Sequence, residues 1–130
     1  MDLRRLQQLV EAKLGSDTRV AAVYLFGSQA RGTSRADSDV DLGVLYHSAP
    51  PSTLLGQPFA EQAELSAEIG KPVDLVVMNA APPDLVHRIL RDGQLLLDAD
   101  RSARIAFEVR ARNQYFDVLP ILQRYRRKSA

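Results

Sequence analysis

The sequence predicts an α/β (α+β) fold, a small mixed β-sheet flanked by helices and followed by a long C-terminal helix. Three observations predict it: short apolar strand-like runs alternate with helical periodicities, Gly and Pro fall between them, and no repeat or low-complexity tract interrupts the alternation. At 130 residues the chain has the length of one domain, so 1–130 is read as a single unit.

Leu3, Leu6, Val10 and Leu14 fall on one side of a first helix, with Gly15 as its terminator. Val20 to Phe26 is almost continuously apolar, which fits a strand buried on both faces. A turn at Gly27 and a short helix near Ser28 follow. Val40, Leu42 and Val44 then alternate with Asp39 and Asp41, so a second strand carries two carboxylates on one face, their Cα atoms about 6.6 Å apart from the strand rise. Pro50, Pro51, Gly56 and Pro58 make 48–58 a loop with a short helical turn. Phe59 to Ile69 reads as a helix ending at Gly70, and Val73 to Met78 as a third strand interrupted by Asp74. Pro82 and Pro83 open a helix stopped by Gly93, Gln94 to Leu97 is a last strand, and Asp98 and Asp100 are turn and N-cap residues. From Arg101 onward Ile105, Val109, Phe116 and Leu119 recur at helical spacing, with a kink or restart expected at Pro120.

Composition narrows the chemistry. Apolar residues make up 45% and charged residues 25% of the chain, enough for a packed core. The absence of Cys excludes disulfides, zinc-thiolate sites, iron-sulfur clusters and cysteine nucleophiles. No apolar run is long enough for a membrane span or a signal peptide, so a cytoplasmic protein without membrane contact is expected. The net charge of +1 hides a segregation: residues 1–100 carry nine Lys and Arg against fourteen Asp and Glu, residues 101–130 eight against two. That basic end could touch nucleic acid or an acidic partner face, but a solvated helix face is the favoured reading, and no direct nucleic-acid binding is expected. His47 and His87 are isolated and read as surface or helix-flank residues rather than ligands.

The chemistry concentrates in Gly27-Ser28, then Asp39-Val40-Asp41, with Asp74 on a later strand. A strand that turns into a helix at Gly27-Ser28 turns free backbone N–H groups outward, and Gly27 leaves room for phosphate oxygens while Ser28 offers a hydroxyl and an N-cap. Three carboxylates about 5 Å apart repel by about 3 kcal/mol per pair at an effective dielectric near 20, so cations must lie between them. Oxygen-only ligands select hard divalent ions, Mg²⁺ first. A phosphate cradle beside a carboxylate site for two Mg²⁺ ions describes phosphoryl or nucleotidyl transfer by in-line displacement. Asp39 and Asp41 would bridge both ions, and Asp74 would ligate the one on the attacking side and help take the acceptor's proton.

Gly27-Ser28-Gln29-Ala30-Arg31-Gly32 followed by Ser38-Asp39-Val40-Asp41-Leu42 resembles the minimal nucleotidyltransferases of the DNA polymerase β superfamily, and among them the MntA-like adenylyltransferase antitoxins. Residues 104–117 also resemble the C-terminal helix of those antitoxins. The resemblance implies a partner, a HEPN-type ribonuclease toxin, and transfer of AMP from ATP to a tyrosine hydroxyl of that toxin. It implies Gly27 and Ser28 as the phosphate-binding pair and Asp39, Asp41 and Asp74 as the metal carboxylates. Arg31, in the family's Gly-Ser-x-Ala-Arg-Gly run, has two readings: a phosphate contact, or an ion pair with Asp37 or Asp39. Relatives that modify antibiotics or extend nucleic acids carry additional domains for the acceptor, whereas a protein acceptor brings its own surface. Tyr115, Phe116, Tyr125 and the arginines of the last helix are candidates for that contact, with packing on the sheet as the alternative for Tyr115 and Phe116. Two rival functions stay open, nucleotidyl transfer to a small molecule such as an aminoglycoside, and neutralisation of the partner by binding without catalysis.

Overall fold

The structure, a computed structural model, describes residues 2–32 and 38–129. Its elements run α1 (Leu3–Lys13), β1 (Val20–Phe26), α2 (Ser28–Arg31), β2 (Val40–Tyr46), α3 (Phe59–Ile69), β3 (Val73–Val77), α4 (Pro83–Asp92), β4 (Gln94–Asp98) and α5 (Arg101–Ser129). Short 3₁₀ turns at Leu54–Gly56 and Met78–Ala80 complete the order. The sheet is mixed, as expected, in the order β3-β2-β1-β4, with β2 and β3 parallel and both other pairings antiparallel.

Strand pleat divides the core into two layers. Val23 and Leu25 of β1, Val40, Leu42 and Val44 of β2, and Val73, Leu75 and Val77 of β3 meet Leu6 and Val10 of α1 and Leu65 of α3 on one face. Ala22 and Tyr24 of β1 and Leu45 of β2 meet Val86 and Ile89 of α4 on the other, where Ala103, Phe107 and Ala111 of α5 also pack. Burial on both faces is why β1 lacks alternation. The edge strand β3 is tied to α3 by side chains: Ser66 Oγ accepts from the Val73 amide at 3.0 Å and Gln62 Oε1 from the Leu75 amide at 2.9 Å. Those bonds satisfy donors that an edge leaves open, and they fix the strand that carries Asp74.

Several expectations need correction. Asp39 precedes β2 rather than lying within it. The third strand stops at Val77, because Met78 begins a 3₁₀ turn. Asp98 is the last residue of β4 and pairs with Arg104, whereas Asp100 does cap α5 by accepting from the Ala103 amide at 3.1 Å. Helix α5 runs without interruption through Pro120. The missing N–H costs one helical bond, and on an exposed helix water can serve the carbonyl left over. The docked face of α5 is also not the one that the large apolar residues mark: Phe107 packs inward, while Ile105, Val109 and Phe116 are exposed. No helix among the described residues is long and apolar enough to cross a membrane.

Candidate active site

Asp41 and Asp74 are direct register partners across the parallel β2–β3 pair, which sets their Cα atoms about 4.8 Å apart. Their neighbours along each strand point into the α1/α3 layer, so pleat turns both carboxylates toward α4. Both line a cavity of about 410 Å³ with Phe26, Gly27, Arg31, Arg88 and Arg91. Asp39 lies two residues before Asp41 and is exposed. Burial lifts the Asp41 carboxyl above the ordinary carboxylate value, and the charges of Asp74 and then Asp39 raise it further. A carboxylate held among others in this way favours a bound cation.

Oxygen donors without His or Cys suit a hard divalent ion such as Mg²⁺, and the raised Asp41 fits that donor set. The expected three-carboxylate cluster is only partly assembled: Asp41 and Asp74 are together, yet among the described residues no group of three His, Cys, Asp or Glu is gathered closely enough to hold an ion.

The turn after β1 is shaped by Gly27. Its φ of 76° lies in the left-handed region, and a Cβ built there would run into Asp41 Oδ2. Glycine is therefore required both for the turn and for the approach of the backbone to the carboxylate. Ser28 is the first residue of α2, and the N-cap position belongs to Gly27, so the expected Ser28 cap is not made. At the other end of α2, Gln94 Nε2 donates to the Ala30 carbonyl at 2.9 Å and ties the turn to β4. Arg31 lines the cavity and acts electrostatically on Asp92. Its expected alternative partner Asp37 lies outside the described residues.

Sequence reading missed Arg88 and Arg91, which reach the cavity from α4. Their i, i+3 spacing signals one helix face, but nothing in the sequence says which strand that face covers. His47 holds the Arg19 carbonyl and Asp100, and His87 stacks on Tyr115 with ring centroids 3.7 Å apart, so each histidine has a structural place.

Residues 8–102 match the family model described as Polymerase beta, Nucleotidyltransferase. No match was found among curated proteins. Among solved structures, a toxin–antitoxin with AMP-PNP superposes with a TM-score of 0.79 at 20% identity, over 99% of this chain and 98% of that one. A tri-AMPylated HEPN toxin in complex with an MNT antitoxin, from Shewanella oneidensis, gives 0.72 at 18% over 98% and 94%. At these identities the likeness is one of fold. A protein provisionally described as a minimal nucleotidyltransferase is 36% identical, with a TM-score of 0.56, over 72% of this chain and 95% of that one. The strand-turn-helix at Gly27, the paired carboxylates and a family match across most of the chain lead to one conclusion: this protein belongs to the polymerase β nucleotidyltransferase family.

Proposed function

We propose that the chain is a single minimal nucleotidyltransferase domain acting in the cytoplasm as the antitoxin of a toxin–antitoxin pair. Its reaction is transfer of AMP from ATP to a tyrosine hydroxyl of a HEPN-type ribonuclease toxin, with release of pyrophosphate. The observation that carries this reading is the Asp41–Asp74 pair facing the Gly27 turn in an arginine-lined cavity. Likeness over nearly the whole chain to toxin–antitoxin structures, one with AMP-PNP and one with an AMPylated toxin, supports the partner and the nucleotide.

In this reading Asp39, Asp41 and Asp74 hold two Mg²⁺ ions, which when bound neutralise phosphate charge and sharpen the acceptor hydroxyl as a nucleophile. Gly27 and Ser28 present backbone N–H groups to the phosphate tail, and Arg31 contacts a phosphate. Asp74 stands on the acceptor side and takes the hydroxyl proton on a carboxylate oxygen as the oxygen–phosphorus bond forms and pyrophosphate departs.

Intact-mass spectrometry of the toxin after incubation with the protein, ATP and Mg²⁺ tests this. We expect the mass of an adenylyl group on the toxin, absent with Asp39→Asn plus Asp41→Asn. An unmodified toxin beside an adenylylated aminoglycoside would assign the chain a small-molecule acceptor. Full neutralisation by the double variant, with no added mass, would assign it a binding role.

A further inference from the structure

Three arginines converge on the carboxylate cavity from two elements far apart in sequence: Arg31 from α2, and Arg88 and Arg91 from α4. Arg88 and Arg91 share one side of α4 through their i, i+3 spacing. Arg91 is fixed by a two-point pair with Asp92, Nε to Oδ1 at 2.9 Å and the second nitrogen to Oδ2 at 2.8 Å. Asp92 lines the same cavity, and its carboxyl is held below the ordinary range chiefly by that bond to Arg91, with the Arg31 charge adding. Asp92 is thus paired with Arg91 and also feels the Arg31 charge. Arg88 is exposed and has no hydrogen bond or ion pair with any described residue. The charged residues lining the cavity are Arg31, Arg88 and Arg91 with Asp41, Asp74 and Asp92.

An arginine with no partner among the described residues, beside a braced one, is an arrangement for an incoming anion, since guanidinium donates in a fixed fork that matches phosphate oxygens. A tyrosine hydroxyl brings no charge to meet it. The phosphate tail of a nucleotide does, and Arg31 belongs to the turn assigned to that tail. We infer that Arg88 and Arg91 on α4 form a second phosphate-binding element that holds the β- and γ-phosphates of the nucleotide across the cavity from the Gly27 turn, with Asp92 as the residue that positions Arg91. The inference rests on reading the cavity as a nucleoside triphosphate site, and it adds that the tail is gripped from two layers of the fold. The same contacts would receive the negative charge that develops on the leaving pyrophosphate.

Equilibrium binding to the whole chain separates the outcomes, with ATP and AMP as probes in Mg²⁺ buffer and thermal melting to verify folding. Arg88→Ala should weaken ATP about tenfold and leave AMP within about twofold, because only ATP carries the outer phosphates. Arg88→Lys should recover part of the loss, keeping charge without the fork. Arg124→Ala, on α5 and outside the cavity lining, should change neither. Equal weakening of ATP and AMP, or unchanged ATP affinity, overturns the inference, as does a wild-type chain that binds no ATP. In turnover with the toxin, Arg88→Ala should raise KM for ATP; a rise confined to KM for the toxin would place the arginines on the acceptor and also overturn it. Tail-dependent binding in a chain that never adenylylates the toxin would leave the inference standing and remove the proposed function alone.

Discussion

Gly27 bears two independent constraints at one Cα, a positive φ and the carboxylate of Asp41 where a side chain would be. Gly27→Ala should therefore cost about 1–3 kcal/mol of stability and abolish nucleotide binding. Urea unfolding with a nucleotide titration checks both, and an alanine variant equal to wild type in either would contradict the account. Asp41 makes a different prediction. Its carboxyl titrates above the ordinary value of 3.8 because burial and two neighbouring acids disfavour its charge. The folded chain consequently holds that proton to higher pH than the unfolded chain. The stability linked to it is complete below the ordinary value and is lost as pH rises through the raised one. In metal-free buffer Asp41→Asn should be more stable than wild type near neutral pH, with the gain vanishing below about pH 4. Thermal melts across that range decide it, and no gain at neutral pH would refute the charge argument. These residues were legible because Gly27-Ser28 and Asp39-Val40-Asp41 lie close together in the chain and act through local backbone geometry. Arg88 and Arg91 were not, since their role depends on which sheet face α4 covers.

Helix α5 is held to the sheet by a polar knot at its first turns. Tyr24, almost fully buried on β1, donates its hydroxyl to Glu108 Oε1 at 2.5 Å, and Arg104 bridges Glu108 at 3.0 Å and Asp98 at 2.9 Å. Burial first, and then Glu108, pushes the Tyr24 hydroxyl well above its usual range, so it stays a neutral donor. Glu108→Ala leaves that buried hydroxyl without its acceptor and Arg104 with Asp98 alone, and should cost about 1–3 kcal/mol. Asp117→Ala on the exposed part of the same helix should stay within about 0.5 kcal/mol. Chemical unfolding of the two variants measures the contrast, and equal effects would mean that the knot does not anchor α5. Nothing along the sequence singles out Glu108, because Tyr24 is 84 positions away. The face of α5 was misleading for a related reason. Large apolar residues set the visible period, but Ala103 and Ala111 let the helix approach closely around Phe107, and Phe116 on the other side is 59% exposed.

At the scale of the molecule, the sheet brings the site together by one parallel pairing. Among the described residues β3 is an edge strand that pairs with β2 alone, so Asp74 reaches Asp41 through the β2–α3–β3 crossover. The alternation of elements made a mixed sheet legible, but strand order was not, since β4 pairs with β1 across some seventy residues and no local signal announces it. The repulsion between Asp41 and Asp74 then acts directly on the pairing that holds β3. Nucleotide with Mg²⁺ should therefore stabilise the whole chain, both by mass action and by relieving that repulsion. At a hundred times the dissociation constant, binding contributes about 2.7 kcal/mol, which for a chain of this length is a melting shift on the order of 10 °C. ATP without Mg²⁺ should give a much smaller shift, because its phosphates then meet the carboxylates unscreened, and Asp41→Asn should lose the added effect of the metal. Thermal melts of both proteins with ATP, Mg²⁺ and the two together test the coupling. Shifts from ATP and Mg²⁺ that merely add, or the same combined shift in Asp41→Asn, would show that the carboxylate pair is not where metal and nucleotide meet.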